Sequence, residues 1–256
     1  MLKIATWNVN SLRVRLPHVL QWLEHEQPDI LALQETKTTD ENFPIDAIIE
    51  HGYQVTFSGQ KTYNGVAIIS RSAAANLITD FPSFPDPQRR LLCATYGNIC
   101  VLNVYVPNGS AVGSEKYTYK LEWLSQLRAF AGTLMEKWDK LILLGDFNIA
   151  PADEDVHDPD EWRDQVLCSE PERKALIELL DKGFSDCFRL FKQEQNSFSW
   201  WDYRAAAFRR NRGLRIDLIL SSGALTPLCR TCRIDKTPRA LEKPSDHAPV
   251  VAEFAI

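Results

Sequence analysis

The 256-residue chain predicts an α/β fold. Apolar runs of strand length alternate with helical patterns, the turns between them are short, and no Pro/Gly/Ser-rich linker or internal repeat interrupts the chain. A single domain over residues 1–256 is the expectation. The balance of 29 Lys+Arg against 34 Asp+Glu, with 45% hydrophobic and 25% charged residues, is that of a soluble globular protein. It excludes the disordered, collagen-like and disulfide-scaffold classes. MLKIATWNVN has no basic region followed by a long apolar run, so no signal peptide is expected. Runs such as Leu141–Leu144 are too short to span a membrane. The expected location is intracellular, in the cytoplasm.

The elements follow in order. Leu2–Asn8 reads as a buried strand. Pro17 opens a helical pattern with Val19, Leu20 and Leu23 on one face and Glu24, His25 and Glu26 on the other. Asp29–Gln34 and Gly65–Ser70 are further buried strands, and Leu91–Tyr96 with Ile99–Tyr105 forms a hairpin about Gly97-Asn98. Lys116–Lys137 is a long helix with Tyr119, Trp123, Leu127 and Phe130 on its apolar stripe. Lys140–Leu144 is a strand running into GDFN, and Glu172–Lys182 is a helix stopped by Gly183. Arg215–Leu220 and Val250–Phe254 are the last strands. Two sheets with helices outside suit this pattern, and so does one mixed sheet. The six cysteines (Cys93, Cys100, Cys168, Cys187, Cys229 and Cys232) contain one CxxC, and the five histidines supply no second ligand pair. Reduced thiols are expected rather than zinc.

Polar residues gather where strands stop: Asn8 and Asn10 in WNVN, Glu35 in LQETK, Asp146 and Asn148 in GDFN, Asp217 in RIDLIL, and Asp246 and His247 in SDHAP. Any one of these could cap a turn. Together they supply four carboxylates, three amides and one imidazole. Oxygen donors suit a hard Mg²⁺ ion, which takes one or two carboxylates plus water and phosphate oxygens. The remaining acids are free for proton transfer, and an Asp beside a His holds the imidazole charged and in one orientation. The inventory fits metal-assisted phosphodiester hydrolysis. No GxSxG or reactive-cysteine motif points to acyl transfer.

The chain resembles the exonuclease III family of abasic-site endonucleases, within the endonuclease/exonuclease/phosphatase superfamily. The resemblance runs through TWNVNSLR, LQETK, GQKTYNGVAI, PQRR, NVYVPNG, GDFNIAPAD, SWWDYR, GLRIDLIL and EKPSDHAPV. It implies a four-layer αββα sandwich of the DNase I-like type, two packed mixed sheets flanked by helices, with the site at one edge of both. It implies Mg²⁺, with Mn²⁺ as a substitute, at Glu35 and Asn10, and Asp146, Asn148, Asp246 and His247 around the ion. Some relatives carry Asp where this chain has Asn10. Asp146 matches the group that orients or deprotonates the attacking water, and Asn148 the group that bonds the scissile phosphate. His247 contacts a phosphate oxygen and is oriented by Asp217. Asp246 serves a second metal or the leaving group, Tyr105 stabilises the phosphate or departing oxygen, and Asn8 supports the network. The implied substrate is duplex DNA with abasic sites or blocked 3′-ends, cut to leave a 3′-hydroxyl, by a monomer with no membrane partner.

The same resemblance places Trp200, Leu214 and Ile216 around an apolar pocket for a flipped-out abasic sugar. It places Lys61, Tyr63, Arg89, Arg90 and Asn108 on DNA. Residues Arg204–Arg215 carry five arginines and no acid, so Arg204, Arg209, Arg210 and Arg212 are read as phosphate-backbone contacts. The net charge of −5 is compatible with this, since the site acids count toward it while a rim stays positive. Three residues past Asn108, where some relatives insert an Arg into DNA, this chain has Ala111, so no arginine wedge is expected there. Pro151–Cys168 is a long acidic loop, expected to border the site and tune the choice between internal abasic sites and 3′-ends. The competing readings are a small-phosphoester hydrolase of the superfamily, a 3′-end specialist, and an inactive nucleic-acid-binding adaptor.

Overall fold

The structure is a computed structural model and describes residues 1–256. Twelve strands form two six-stranded mixed sheets. The first sheet contains β1 (Leu2–Asn8), β2 (Ile30–Gln34), β3 (Gln54–Ser58), β4 (Val66–Ser70), β11 (Cys229–Ile234) and β12 (Val250–Phe254), in the order β11-β12-β1-β2-β4-β3. The second contains β5 (Ala75–Ile78), β6 (Leu91–Tyr96), β7 (Ile99–Tyr105), β8 (Leu141–Asp146), β9 (Phe184–Asp186) and β10 (Asp217–Ser222), in the order β5-β6-β7-β8-β10-β9. Helices α1 (Leu12–Glu26) and α2 (Ile45–Glu50) cover the outer face of the first sheet, and α3 (Glu115–Met135) and α4 (Glu170–Leu180) that of the second. This is the expected four-layer αββα sandwich.

Each layer boundary has its own core. Ile4, Ile30, Ala32 and Ile68 of the first sheet meet Leu92, Val101, Ile142, Leu144 and Ile219 of the second. The alternate residues Ala5, Trp7, Leu31 and Leu33 pack under Leu12, Val19, Trp22 and Leu23 of α1. On the far side Leu102, Leu141, Leu143 and Leu218 pack under Trp123, Leu127, Phe130 and Leu176. Strands buried on both faces read as unbroken apolar runs, which is why β2 and β8 stand out in the sequence.

Two strand pairs are parallel, β1 with β2 and β7 with β8, and a helix bridges each pair. The carboxyl ends of both pairs lie at one edge of the sandwich, where Asn8 of the first sheet hydrogen-bonds Asp146 of the second. Gly145 lets β7 and β8 pair closely just before this edge. With φ 145, it would place a Cβ only 1.9 Å from the Val104 carbonyl oxygen of the parallel neighbour.

Several boundaries differ from expectation. The first helix starts at Leu12, five residues before Pro17, which lies inside it. Its start is set by tertiary contacts, since the Ser11 and Leu12 amides donate to the carbonyls of Glu35 (2.8 Å) and Thr36 (3.0 Å). The strand expected from Arg215 begins at Asp217, because the Ile216 and Asp217 amides are held by the Ser199 hydroxyl at 3.1 Å each. Strands β3, β5, β9 and β11 and helix α2 are additional to the expected set. All six cysteines are buried free thiols. No helix is long and apolar enough to cross a membrane.

The turn after β11 is tied to α1 through Asp235, which accepts from Trp22 Nε1 (2.9 Å) and the Thr237 amide (3.0 Å). Burial alone would raise its pKa, but these hydrogen bonds outweigh it and hold the carboxyl below its ordinary value. A depressed carboxylate contributes stability above its unfolded pKa and loses it as pH falls through the folded one. Asp235→Asn is therefore expected to cost about 1 kcal/mol at pH 7. The difference from wild type should shrink as pH falls below the ordinary carboxylate range, in urea titrations run across acid pH.

Candidate active site at the shared edge of the two sheets

Five chain segments deliver the polar groups of the site. Asn8 ends β1, Glu35 follows β2, Asp146 ends β8, and Asp217 opens β10 opposite Asp146 in the antiparallel register. His247 lies just before β12 and is anchored through its backbone: Trp7 Nε1 donates to its carbonyl (3.2 Å) and its amide donates to Ser245 Oγ (3.2 Å). Ser245 Oγ in turn donates to the Asn8 carbonyl at 2.7 Å. Asp146, Asp217 and His247 are 1%, 0% and 4% exposed, so their charges interact through protein rather than water.

Asn8 Nδ2 donates to Glu35 Oε1 (2.9 Å) and to Asp146 Oδ2 (2.8 Å), joining an acid of each sheet. Asp146 also accepts from the Asn148 amide (2.9 Å) and Asn148 Nδ2 (3.3 Å). His247 Nδ1 lies 2.9 Å from Asp217 Oδ2, and its Nε2 lies 3.8 Å from Asp146 Oδ2. Burial opposes charge on this imidazole, but the carboxylates of Asp217 and Asp146 outweigh it and lift the pKa to about 10. His247 is therefore an imidazolium at neutral pH. Burial, aided by Asp217, raises the pKa of Asp146 against the pull of His247. Burial likewise opposes the charge of Glu35, yet Lys37 and Asn8 hold its pKa below the ordinary value. Burial, then the Glu35 charge, pushes Tyr105 well above its usual value, so it remains a phenol and a donor.

The donor set fits a hard cation. Carboxylate oxygens of Glu35 and Asp146 and a ring nitrogen of His247 all lie within 4.8 Å of one another. The Lys37 ammonium sits 2.8 Å from Glu35 Oε2 and 2.5 Å from Asn10 Oδ1, an observed position of positive charge between the two expected metal ligands. His247 thus lies where a metal role was expected, with its Nδ1 held by Asp217. Asn148 Oδ1 accepts from Asn108 Nδ2 (3.2 Å). Asp246 is held by Asn10 Nδ2 (2.9 Å) and Trp200 Nε1 (3.0 Å), and the His247 charge with these two bonds overcomes the effect of burial to keep it ionised.

The expected DNA-facing residues separate into two groups. Lys61, Tyr63 and Arg89 are exposed. Lys61 lines a groove of about 700 Å³ with Arg13 and Lys37, and Tyr63 lines one of about 550 Å³ with Arg90, Asn108 and Lys116. Both grooves reach the site, through Lys37 and Asn108. Arg209 and Arg210 are exposed. Asn108 and Arg204 are exposed too, Arg204 with 88% of its side chain accessible, while Arg90 and Arg212 are engaged within the protein. Arg90 stacks on the Tyr105 ring at 4.6 Å and donates to its carbonyl at 3.2 Å. Arg204 pairs with Asp202 (2.6 Å), and Arg212 pairs with Glu161 and with His157 Nε2 (3.1 Å). Arg215, part of the same basic run, is 1% exposed between Asp155 (2.6 Å) and Asp186 (2.8 Å), where it ties strands to the acidic loop.

The three residues expected around the apolar pocket differ in exposure. Leu214 and Ile216 are 0% and 1% exposed, packed with Ala150, Val156, Leu167 and Cys168. Trp200 alone of the three keeps some surface, and Trp162 of the acidic loop meets it edge-on, with ring centroids 6.4 Å apart. Sequence reasoning missed Lys37, Ser199, Ser245 and Lys120. Lys37, Ser199 and Ser245 lay inside the motifs LQETK, SWWDYR and SDHAP, whereas Lys120 had no such signal.

An acid-lined, cation-suited cleft with a fixed imidazolium, at one edge of an αββα sandwich, defines a phosphoesterase class of site. The chain belongs to the Endonuclease/Exonuclease/phosphatase family, whose model matches residues 5–247. It is 39% identical to exodeoxyribonuclease III of Haemophilus influenzae, over 99% of this chain and all of the relative. It is 31% identical to the zebrafish DNA repair nuclease APEX1, over 100% of this chain and 83% of that protein. Among solved structures, the 3′ phosphatase NExo from Neisseria, bound to a product DNA hairpin, superposes with TM-score 0.98 at 48% identity and full coverage of both chains. An AP endonuclease from Archaeoglobus fulgidus superposes with TM-score 0.95 at 41% identity, again over all of both chains.

The Asp217–His247 pair has a measurable signature. In EDTA, NMR titration should show the His247 ring protonated past pH 9, while Asp217→Asn should lower its pKa by at least about one unit. Because the folded pKa is raised, the pair stabilises the fold fully below pH 6.5, and that contribution fades as pH climbs toward about 10. A wild-type ring titrating near 6.5 would contradict the geometry.

Proposed function

We propose that this chain is a Mg²⁺-dependent DNA-repair phosphodiesterase that cuts 5′ to abasic sites in duplex DNA and clears blocked 3′-ends, leaving 3′-hydroxyls. The observation that carries the reading is the Asp146 carboxylate, placed between Asn8, Asn148 and an Asp217-held His247. In this reading Asp146 orients water for in-line attack on phosphorus and accepts its proton, and its raised pKa suits that task. His247 and the Tyr105 phenol donate to phosphate oxygens as charge builds on them, and Asn148 positions the phosphate. The P–O3′ bond breaks, and the departing oxygen is protonated to the 3′-hydroxyl. Glu35 and Asn10 would hold Mg²⁺, with Mn²⁺ a substitute; when bound, the ion neutralises phosphate charge. Asp246 acts through Asn10 and Trp200, which it holds. Exposed Lys61, Arg89, Arg209 and Arg210 contact the DNA backbone. The protein acts as a monomer, within the cell.

A second reading, a 3′-end specialist that spares internal abasic sites, is favoured by one observation. Trp162 closes over Trp200, and the Trp162 indole N–H is buried without an acceptor. The relatives support both readings, one being named a 3′ phosphatase and another an AP endonuclease.

Two labelled duplexes, one with an internal abasic analogue and one with a 3′-phosphate, decide between them when incubated with Mg²⁺ and with EDTA. The proposal expects Mg²⁺-dependent processing of both. Cleavage of the 3′-end alone selects the second reading, and Trp162→Ala should then raise internal incision about tenfold, equivalent to ~1.4 kcal/mol of barrier. A folded, DNA-binding protein that processes neither would be an inactive adaptor.

A further inference from the structure

Behind the cleft, Lys120 of α3 and Glu172 of α4 form an ion pair whose side chains are both 0% exposed. The Lys120 ammonium has three protons, and each has an acceptor: a Glu172 oxygen, the Asn148 carbonyl (2.6 Å) and the Asn108 carbonyl (3.1 Å). Glu172 is equally saturated. It accepts from the Leu167 amide (3.0 Å), the Ser169 amide (3.1 Å) and the Ser169 hydroxyl, which Tyr117 meets at 2.6 Å. A buried ion pair is a poor device for stability alone, since apolar residues of similar volume often do as well. The arrangement makes sense through what it holds.

It holds the backbone of two cleft residues. Asn148 has φ 49, a left-handed conformation that asparagine tolerates better than most residues, here fixed by hydrogen bonds on both sides of its peptide. In that conformation the Asn148 amide reaches Asp146 Oδ1 at 2.9 Å, and its side chain reaches Asp146 Oδ2, the Val106 carbonyl and Asn108. The same Glu172 holds Leu167, at φ 78, where the acidic loop returns to the body of the protein. One buried pair thus fixes the cleft backbone and the end of the loop that carries Trp162.

We infer that Lys120 is a positioning residue for phosphate-ester hydrolysis, locking the left-handed backbone of Asn148 and so the alignment of Asp146. This rests on the hydrolase reading above. Lys120 touches no substrate; it acts through Asn148. Its effect belongs on kcat rather than on DNA binding.

The test compares full-length wild type with Lys120→Met, Lys120→Arg and the double variant Lys120→Met/Glu172→Gln, on the 3′-phosphate duplex with saturating Mg²⁺. Misplacing a reacting group by about 1 Å costs about 10²-fold. The double variant removes both buried charges together, so it should regain the melting temperature that Lys120→Met loses without regaining kcat. KM should stay within about threefold of wild type, as for an interaction expressed in the transition state. Lys120→Arg should recover part of kcat. Amide hydrogen exchange at Asn148 should speed up in both Met variants, a readout independent of turnover. Wild-type kcat in the folded double variant, or recovery of kcat in step with melting temperature, would overturn the inference. If wild type itself hydrolyses neither duplex, the hydrolase reading fails first and this role falls with it.

Discussion

The molecule depends on one amide. Asn8 gives both of its side-chain protons to carboxylates, one from its own sheet and one from the other. Without a donor there, the like-charged Glu35 and Asp146 would face each other across the sheet interface in a low-dielectric setting. A second amide bridge lies deeper: Gln34 Nε2 donates to Thr6 (2.8 Å) and to Asn103 Oδ1 (2.7 Å), and Asn103 Nδ2 donates to the carbonyls of Leu33 (3.0 Å) and Ala67 (2.9 Å). These buried amides set how the two sheets meet at the functional edge. Buried polar groups of this kind specify an arrangement, where an apolar interface would tolerate sliding.

From that junction the electrostatics follow. Two acids, Asp146 and Asp217, flank one imidazole and favour its charged form. That cation offsets part of the negative charge in the cleft, while Lys37 serves Glu35 on the other side. In the proposed reaction, phosphate can enter a cleft built of acids because fixed donors and cations are already in place to receive it. The acidic loop carries its own compensation. Asp155 accepts from Arg215, Arg189 and the Ala152 amide, so the loop is pinned to the sandwich and holds Trp162 against Trp200.

The sequence made the interior legible and the margins obscure. The strands identified from apolar runs are the inner ones. The four that escaped notice, β3, β5, β9 and β11, are the four sheet edges. Edge strands are short and half-exposed, so their pattern is weak. In β11 a bulge between Cys229 and Thr231 also breaks the two-residue period. For the site, Asn8, Glu35, Asp146, Asp217 and His247 were legible because strand ends collect polar ligating groups. Lys120 was hidden on the apolar face of a helix among Tyr117, Trp123 and Leu124, with nothing local to mark its partner 52 residues away. The arginine run misled in part, because spacing cannot show that Arg215 turns inward to Asp155 and Asp186 while Arg209 and Arg210 stay outside.

The most direct measurement is the kcat of Asn8→Asp on a 3′-phosphate duplex, with thermal unfolding as the control for folding. The change is nearly isosteric, yet it replaces two donated protons with a third carboxylate beside Glu35 and Asp146. If the amide bridge organises the cleft, the variant folds and kcat falls by about 10² or more, the scale of losing a preorganised donor at a reacting centre. A folded variant within about threefold of wild type would show that the two acids need no donor between them, and the central claim would be wrong.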